Sequence, residues 1–126
     1  VSRALVGVAG LLGLTAVGLG AFGAHGLRGR IDPPMMEIYR TGALYHLVHA
    51  AAALAVALGA ERLRRAGLIL TLLTMGVVIF SGSLYLLAVT GVAQLGAVTP
   101  VGGVCLLAAW ALVALEALPR SRGARG

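Results

Sequence analysis

Three histidines and a few hydroxyls stand out in a chain otherwise short of chemistry. His46 and His49 lie three residues apart and His25 lies upstream, while Tyr45, Ser81, Ser83, Tyr85 and Thr99 are the hydroxyl-bearing residues that accompany them in the later apolar blocks. Imidazole is the commonest nitrogen ligand of metals, so His46 and His49 at an i, i+3 spacing could share an ion with His25. One of them could ligate a haem iron or hydrogen-bond a quinone or other lipid-soluble ligand, and a set of them could relay protons within a membrane. The remaining reading is structural: interhelical hydrogen bonds that hold a bundle together. The sequence favours this last reading, because no acidic pair, nucleophile–base set, phosphate-binding loop or metal signature accompanies these side chains. No catalytic residue, no metal site and no cofactor is assigned from the sequence, and an enzyme is not the expected reading.

The elements that must position these groups follow from composition. Of 126 residues, 60% are apolar and 11% charged, with 19 glycines, whereas soluble domains run nearer half apolar and a quarter charged. Four spans of about 20 residues would consume roughly 80 residues and leave only short connections. This excludes a separate catalytic or nucleic-acid-binding domain. The net charge of +6 comes from arginine alone, with no lysine, and the arginines flank the apolar blocks, so the lipid headgroup layer is the expected partner and nucleic acid is not. The single cysteine, Cys105, cannot form an intramolecular disulfide and reads as a small core residue.

The spans are expected at about 4–24, 42–60, 66–90 and 99–118, forming one all-α, integral membrane four-helix bundle. The first block is longer than the 7–15 residues of a signal-peptide core and reads as a retained span. Its Gly7, Gly10, Gly13, Ala16, Gly20 and Ala24 form a stripe of small residues, expected to pack closely on a neighbouring helix. Asp32 before Pro33 and Pro34, and Thr99 before Pro100, read as helix starts with a capping side chain, and Gly91 as a stop. Arg3, Arg62, Arg64, Arg65, Arg120, Arg122 and Arg125 fall on one side, against Arg28, Arg30 and Arg40 on the other, which puts both termini in the cytoplasm. Tyr39, Tyr45 and Tyr85 are then expected as an aromatic belt at the outer interface, with Trp110 in mid-span. Glu116 is expected to pair with Arg120 four residues on.

Depth then groups the polar residues. His46, His49, Ser81 and Tyr85 are expected to build one polar pocket in the outer leaflet, with His25 and Thr99 at its rim, because unmet polar groups in hydrocarbon cost several kcal/mol. In the serine motif, Gly82 is expected to admit a neighbouring backbone between Ser81 and Ser83.

Four motifs carry a family resemblance: Gly20-Ala-Phe-Gly-Ala-His25, then Tyr45 with His49, then Phe80-Ser-Gly-Ser-Leu-Tyr85, then Val98-Thr-Pro-Val-Gly-Gly103, with Trp110 later in the last span. Their order and spacing resemble the YgdD-type inner-membrane proteins, the domain of unknown function 423 family, from about Leu14 to Trp110. The resemblance implies a four-span protein of the bacterial inner (plasma) membrane and assigns no activity. His25, Tyr45 and His49 match the family pattern, while His46 stands where members often carry glutamine, an exchange that a hydrogen-bonding role would survive. The expected function is that of a non-enzymatic lateral interaction or accessory component of the membrane, as a homo-oligomer or with other membrane subunits. The alternative is a small transporter or binder of a lipophilic or metal ligand that uses the polar pocket.

Overall fold

Ser2 opens the first helix, its hydroxyl accepting from the Leu5 N–H at 3.5 Å. The computed structural model describes residues 2–120, and these are helical or in short connections, with no strand among them. Helix α1 (Arg3–Ala21) continues without a break into a π-helical turn, Phe22–Gly26. Helix α2 (Pro33–Leu58) starts on two prolines whose fixed φ suits the first helical turn. Asp32 stands before them, but its side chain makes no capping bond. After a short 3-10 turn at Ala60–Arg62 comes α3 (Ala66–Thr90), closed by Gly91 at φ 71° with its N–H on the Leu87 carbonyl. A second 3-10 turn, Ala93–Ala97, leads into α4 (Thr99–Leu115). Thr99 is the first helical residue there and does not cap, because its hydroxyl is engaged elsewhere. Arg122 and Arg125, counted above for orientation, lie outside the described residues.

All four helices, with their flanking turns, are long and apolar enough to cross a bilayer. Helices α2 and α3 form the central pair; α1 packs mainly on α2, α4 packs on α3, and α1 and α4 have no close backbone approach. The core is built from small residues (Ala9, Ala16, Ala53, Ala57, Ala109) interleaved with Leu12, Ile69, Leu73 and Leu106. Leu14 and Leu107 point outward at 70% and 71% exposure, the inverse of a soluble protein and the pattern expected when lipid is the solvent.

The small-residue stripe of α1 behaves differently from expectation. Ala9, Leu12 and Ala16 face the bundle, while Gly7, Gly10 and Gly18 are exposed with nothing within 4 Å of where a Cβ would lie. Gly82 is likewise open. The close approaches occur at Gly42, Gly76 and Gly102: a Cβ at Gly102 would collide with the Phe80 backbone, and one at Gly42 would lie 3.3 Å from the Ser81 carbonyl oxygen.

A polar clamp closes the arginine-rich end. Glu116 does not pair with Arg120. Its carboxylate accepts from the backbone N–H groups of Arg64 (2.9 Å) and Arg65 (3.2 Å) just ahead of α3, and meets the Arg64 and Arg65 guanidinium groups at 3.5 and 3.4 Å. In return Arg64 donates to the carbonyls of Leu115 (3.0 Å) and Leu118 (3.3 Å), satisfying the end of α4. Each helix end supplies what the other lacks, and α4 stops at Leu115, short of 118, where Pro119 also has no N–H to continue the ladder. The Arg64 N–H bond, with the charges of Arg64 and Arg65 and against some desolvation, holds the Glu116 carboxyl below the usual carboxylate range.

Two outcomes are expected in thermal unfolding of the detergent-solubilised protein. Gly102→Ala should destabilise by about 1–3 kcal/mol, as overpacking does, while Gly82→Ala should leave stability unchanged or raised. The Glu116 clamp, its folded pKa depressed, should contribute fully above the ordinary glutamate value of about 4.3 and be lost as pH falls through the lowered folded value. In Glu116→Gln this part of the acid-side decline should vanish.

Candidate functional site

Hydrocarbon offers buried polar groups no water, so each must find a partner in the protein. Here every buried side-chain nitrogen and oxygen of the described residues has one. By hydrogen bonding the groups expected in a single pocket fall into four sets, although three of them, His46, Ser81 and Tyr85, line one groove.

The largest set joins three helices. The one proton of Thr15 on α1 goes to the carbonyls of Leu11 and Leu12, at 2.8 and 3.1 Å, which leaves its oxygen to accept. His46 Nε2 therefore donates to Thr15 Oγ1 at 3.1 Å, and His46 Nδ1 accepts from the Tyr85 hydroxyl at 2.9 Å. Beside this chain Tyr39 donates to the Leu19 carbonyl at 2.5 Å and lies with its ring 4.8 Å from that of Tyr85. Tyr39 and Tyr85 thus stand within the bundle, Tyr39 at 2% exposure. Of the expected aromatic belt only Tyr45 has an exposed ring, at 41%, and it lies against Phe80 at 4.6 Å.

His49 faces the other outer helix. Its Nδ1 donates to the Tyr45 carbonyl at 2.7 Å and its Nε2 accepts from the Trp110 indole N–H at 3.0 Å. An indole N–H only donates and a carbonyl only accepts, so the two contacts fix His49 as the Nδ1–H tautomer, opposite to His46. The other two sets join neighbouring helices directly. Ser81 donates to the Gly42 carbonyl at 2.7 Å, tying α3 to α2, and Ser83 lies 2.6 Å from Thr99, tying α3 to α4. The short reach of Ser81 depends on the missing side chain at Gly42.

His25, in the π-helical turn, is exposed and makes no hydrogen bond among the described residues. It does not line the groove that His46 and Tyr85 share. No three of the described His, Cys, Asp and Glu residues are grouped to hold a metal ion. The imidazoles of His46 and His49 use both ring nitrogens on protein partners, so the arrangement chiefly binds helices to one another.

Two partners escaped the sequence reading. Trp110 was legible in principle, since a mid-span indole N–H demands an acceptor at its own depth. Thr15 gave no such signal, because a helical threonine can satisfy itself on its own backbone. A groove of about 230 Å³ runs over the first set, with Leu12, Leu19, Val77 and Val78 on its walls and His46 and Tyr85 along it.

Four apolar helices stitched by internal hydrogen bonds, with leucine and valine turned outward, define a multi-pass integral membrane protein. The family described as "Protein of unknown function (DUF423)" matches residues 19–103, and the chain belongs to it. The UPF0382 membrane protein YwdK of Bacillus subtilis is 45% identical over 108 residues, covering 83% of this chain and 88% of that protein. The UPF0382 membrane protein SERP0230 of Staphylococcus epidermidis is 40% identical over 109 residues, 83% of this chain and 87% of its own length. The UPF0382 inner membrane protein YgdD of Escherichia coli K12 is 38% identical over 123 residues, 96% of this chain and 94% of its own. No solved structure matches the chain. With its four helices and these relatives, the chain is a protein of the bacterial inner (plasma) membrane.

Glutamine offers both a donor and an acceptor, so His46→Gln should stay within about 0.5 kcal/mol of wild type, whereas His46→Leu strands the Tyr85 hydroxyl and should lose about 1–3 kcal/mol. Thermal unfolding of both variants in one detergent measures the difference.

Proposed function

We propose that this chain is a non-catalytic lateral component of the plasma membrane, a single four-span domain with both termini cytoplasmic, that works by packing against further membrane-spanning helices. The observation that carries this reading is the face of α1 turned away from the bundle, where Gly7, Gly10 and Gly18 lie bare. Only 17% of the α1 span is buried within the bundle, less than for α2 or α3. Exposed glycines let another backbone approach closely, which is how helices associate when lipid removes the hydrophobic drive. The polar residues support the same reading. His46, His49, Ser81, Ser83, Tyr85 and Thr99 are spent on interhelical bonds, which leaves these groups engaged with protein partners. Tyr45 packs against Phe80 and His49, and His25 stays at the surface. The cytoplasmic placement of the ends rests on the excess of arginine beside them.

The groove between α1 and α3 favours a second reading, a binder of a lipophilic molecule. Its walls are apolar, and the Tyr85 and Thr15 oxygens along or beside it retain lone pairs. The histidine positions give no comparable support to metal binding.

In mild detergent or nanodiscs the purified protein should run as an assembly larger than one chain, and Gly10→Leu should reduce it to the monomer while leaving helicity intact. A wild-type monomer with no companion chain, carrying instead a co-purified apolar molecule whose loss follows Val78→Trp, would replace the first reading with the second. Single cysteines placed near Arg64 and near Gln94 in a Cys105→Ser background should label from the cytoplasmic and outer sides respectively. The reverse pattern would overturn the orientation.

A further inference from the structure

We propose that the cleft between Arg28 and Arg40, at the α1–α2 end of the bundle, binds the phosphate of an anionic membrane phospholipid. Arg28, Arg30 and Arg40 lie on the side where arginines are fewer, and neither the hydrogen-bonded network nor the α1 glycine face uses them. A cleft of about 250 Å³ opens there. Its floor is made by Gly20, Gly23 and Ala24 at the end of α1 with Ala43 of α2, and Arg28 and Arg40 are the charged residues in its lining. Tyr39 also lines it, but its hydroxyl proton is already committed to the Leu19 carbonyl. The lining therefore presents two cations and no carboxylate, a setting for an anion.

The two guanidinium groups are available. Arg28 has no ion-pair or side-chain hydrogen-bond partner among the described residues. Arg40 meets Glu37 at 3.1 Å through one nitrogen, with the two side chains 65% and 74% exposed, a geometry in which surface pairs contribute little. That contact leaves further Arg40 donors free, and guanidinium donors match phosphate oxygens two at a time. A larger cavity of about 710 Å³ continues on the loop side of the same two arginines; Ile31, Pro33 and Met36 line it, as do the carboxyl-bearing Asp32 and Glu37, so a phosphate entering this way passes two acids before it meets Arg28 and Arg40.

The floor distinguishes a lipid from a free anion. Gly20 and Ala43 belong to the apolar stretches of α1 and α2, so the cleft has an apolar side beside its two arginines, although the Tyr39 ring covers Gly23. Inorganic phosphate has no use for that apolar side, while the glycerol and first acyl carbons of a phospholipid can lie against it. Two arginines facing an anionic headgroup, with no quaternary ammonium to offset them, imply retention of the anionic lipid by about tenfold or more over a zwitterionic one.

Native mass spectrometry of the purified protein with equal phosphatidylglycerol and phosphatidylcholine reads this directly. Phosphatidylglycerol should be retained about tenfold over phosphatidylcholine. The double variant Arg28→Gln/Arg40→Gln should lose the preference, and Arg62→Gln at the opposite end should keep it. Ala24→Leu, with both charges intact, should lower retention several-fold by filling the floor. Millimolar inorganic phosphate, at ionic strength matched with chloride, should displace nothing. Equal retention of the two lipids, an unchanged double variant, or an equal loss in Arg62→Gln would overturn the proposal. Displacement by inorganic phosphate would overturn its lipid part and assign the arginines to a free anion.

Discussion

A polar atom inside hydrocarbon has no water to turn to, and the architecture of this protein follows from that constraint. His46, His49, Tyr39, Tyr85, Ser81, Ser83 and the mid-span Trp110 lie on different helices, and each finds a partner across a helix interface. Thr15, His46 and Tyr85 join α1, α2 and α3; His49 and Trp110 join α2 and α4; Ser81 joins α3 to Gly42; Ser83 joins α3 to Thr99. Measured interhelical hydrogen bonds average only about 0.6 kcal/mol each, so no single one holds the bundle. Their effect is to fix which helix faces which, and at what height. The His49–Trp110 bond matters most in this respect, because α2 and α4 have no close backbone approach and meet across α3 through their side chains.

The same constraint explains the small residues. Ser81 reaches the Gly42 carbonyl, and Ser83 reaches Thr99, only because α2, α3 and α4 run close together at Gly42, Gly76 and Gly102. Glycine in the interior therefore serves the hydrogen bonds as much as the dispersion contacts. Glycine on α1 does neither within this chain, which leaves its outer face as the least occupied apolar surface of the molecule. At the arginine-rich end, where water and headgroups begin, charge takes over from the neutral pairs: Glu116 and Arg64 complete each other's helix ends in an arrangement too polar for the hydrocarbon core.

Much of this was legible in the sequence. Apolar blocks marked four helices, Gly91 marked the end of α3, and depth along each span placed His46 with Tyr85. What depth could not supply was azimuth. A helical position tells how far along the axis a side chain lies, but its direction depends on how each helix is rotated against its neighbours. Hence His46 and His49, three residues apart, were read as one pocket although they turn to α1 and α4. For the same reason the glycine stripe of α1 was assigned to the interior. The partners of Glu116 were hidden for another reason: its clamp joins residues 51 and 52 positions apart in the chain, whereas Arg120 was the near neighbour that spacing offered.

The tautomer of His49 tests the central claim most directly, since it reports whether a mid-span imidazole is held by protein partners on both nitrogens. Solid-state ¹⁵N spectroscopy of the histidine-labelled protein in lipid bilayers resolves protonated from unprotonated ring nitrogens. The account predicts Nδ1 protonated and Nε2 unprotonated, with a through-space contact from Nε2 to the Trp110 indole N–H. An Nε2–H form, or a His49 signal indifferent to Trp110→Phe, would contradict it.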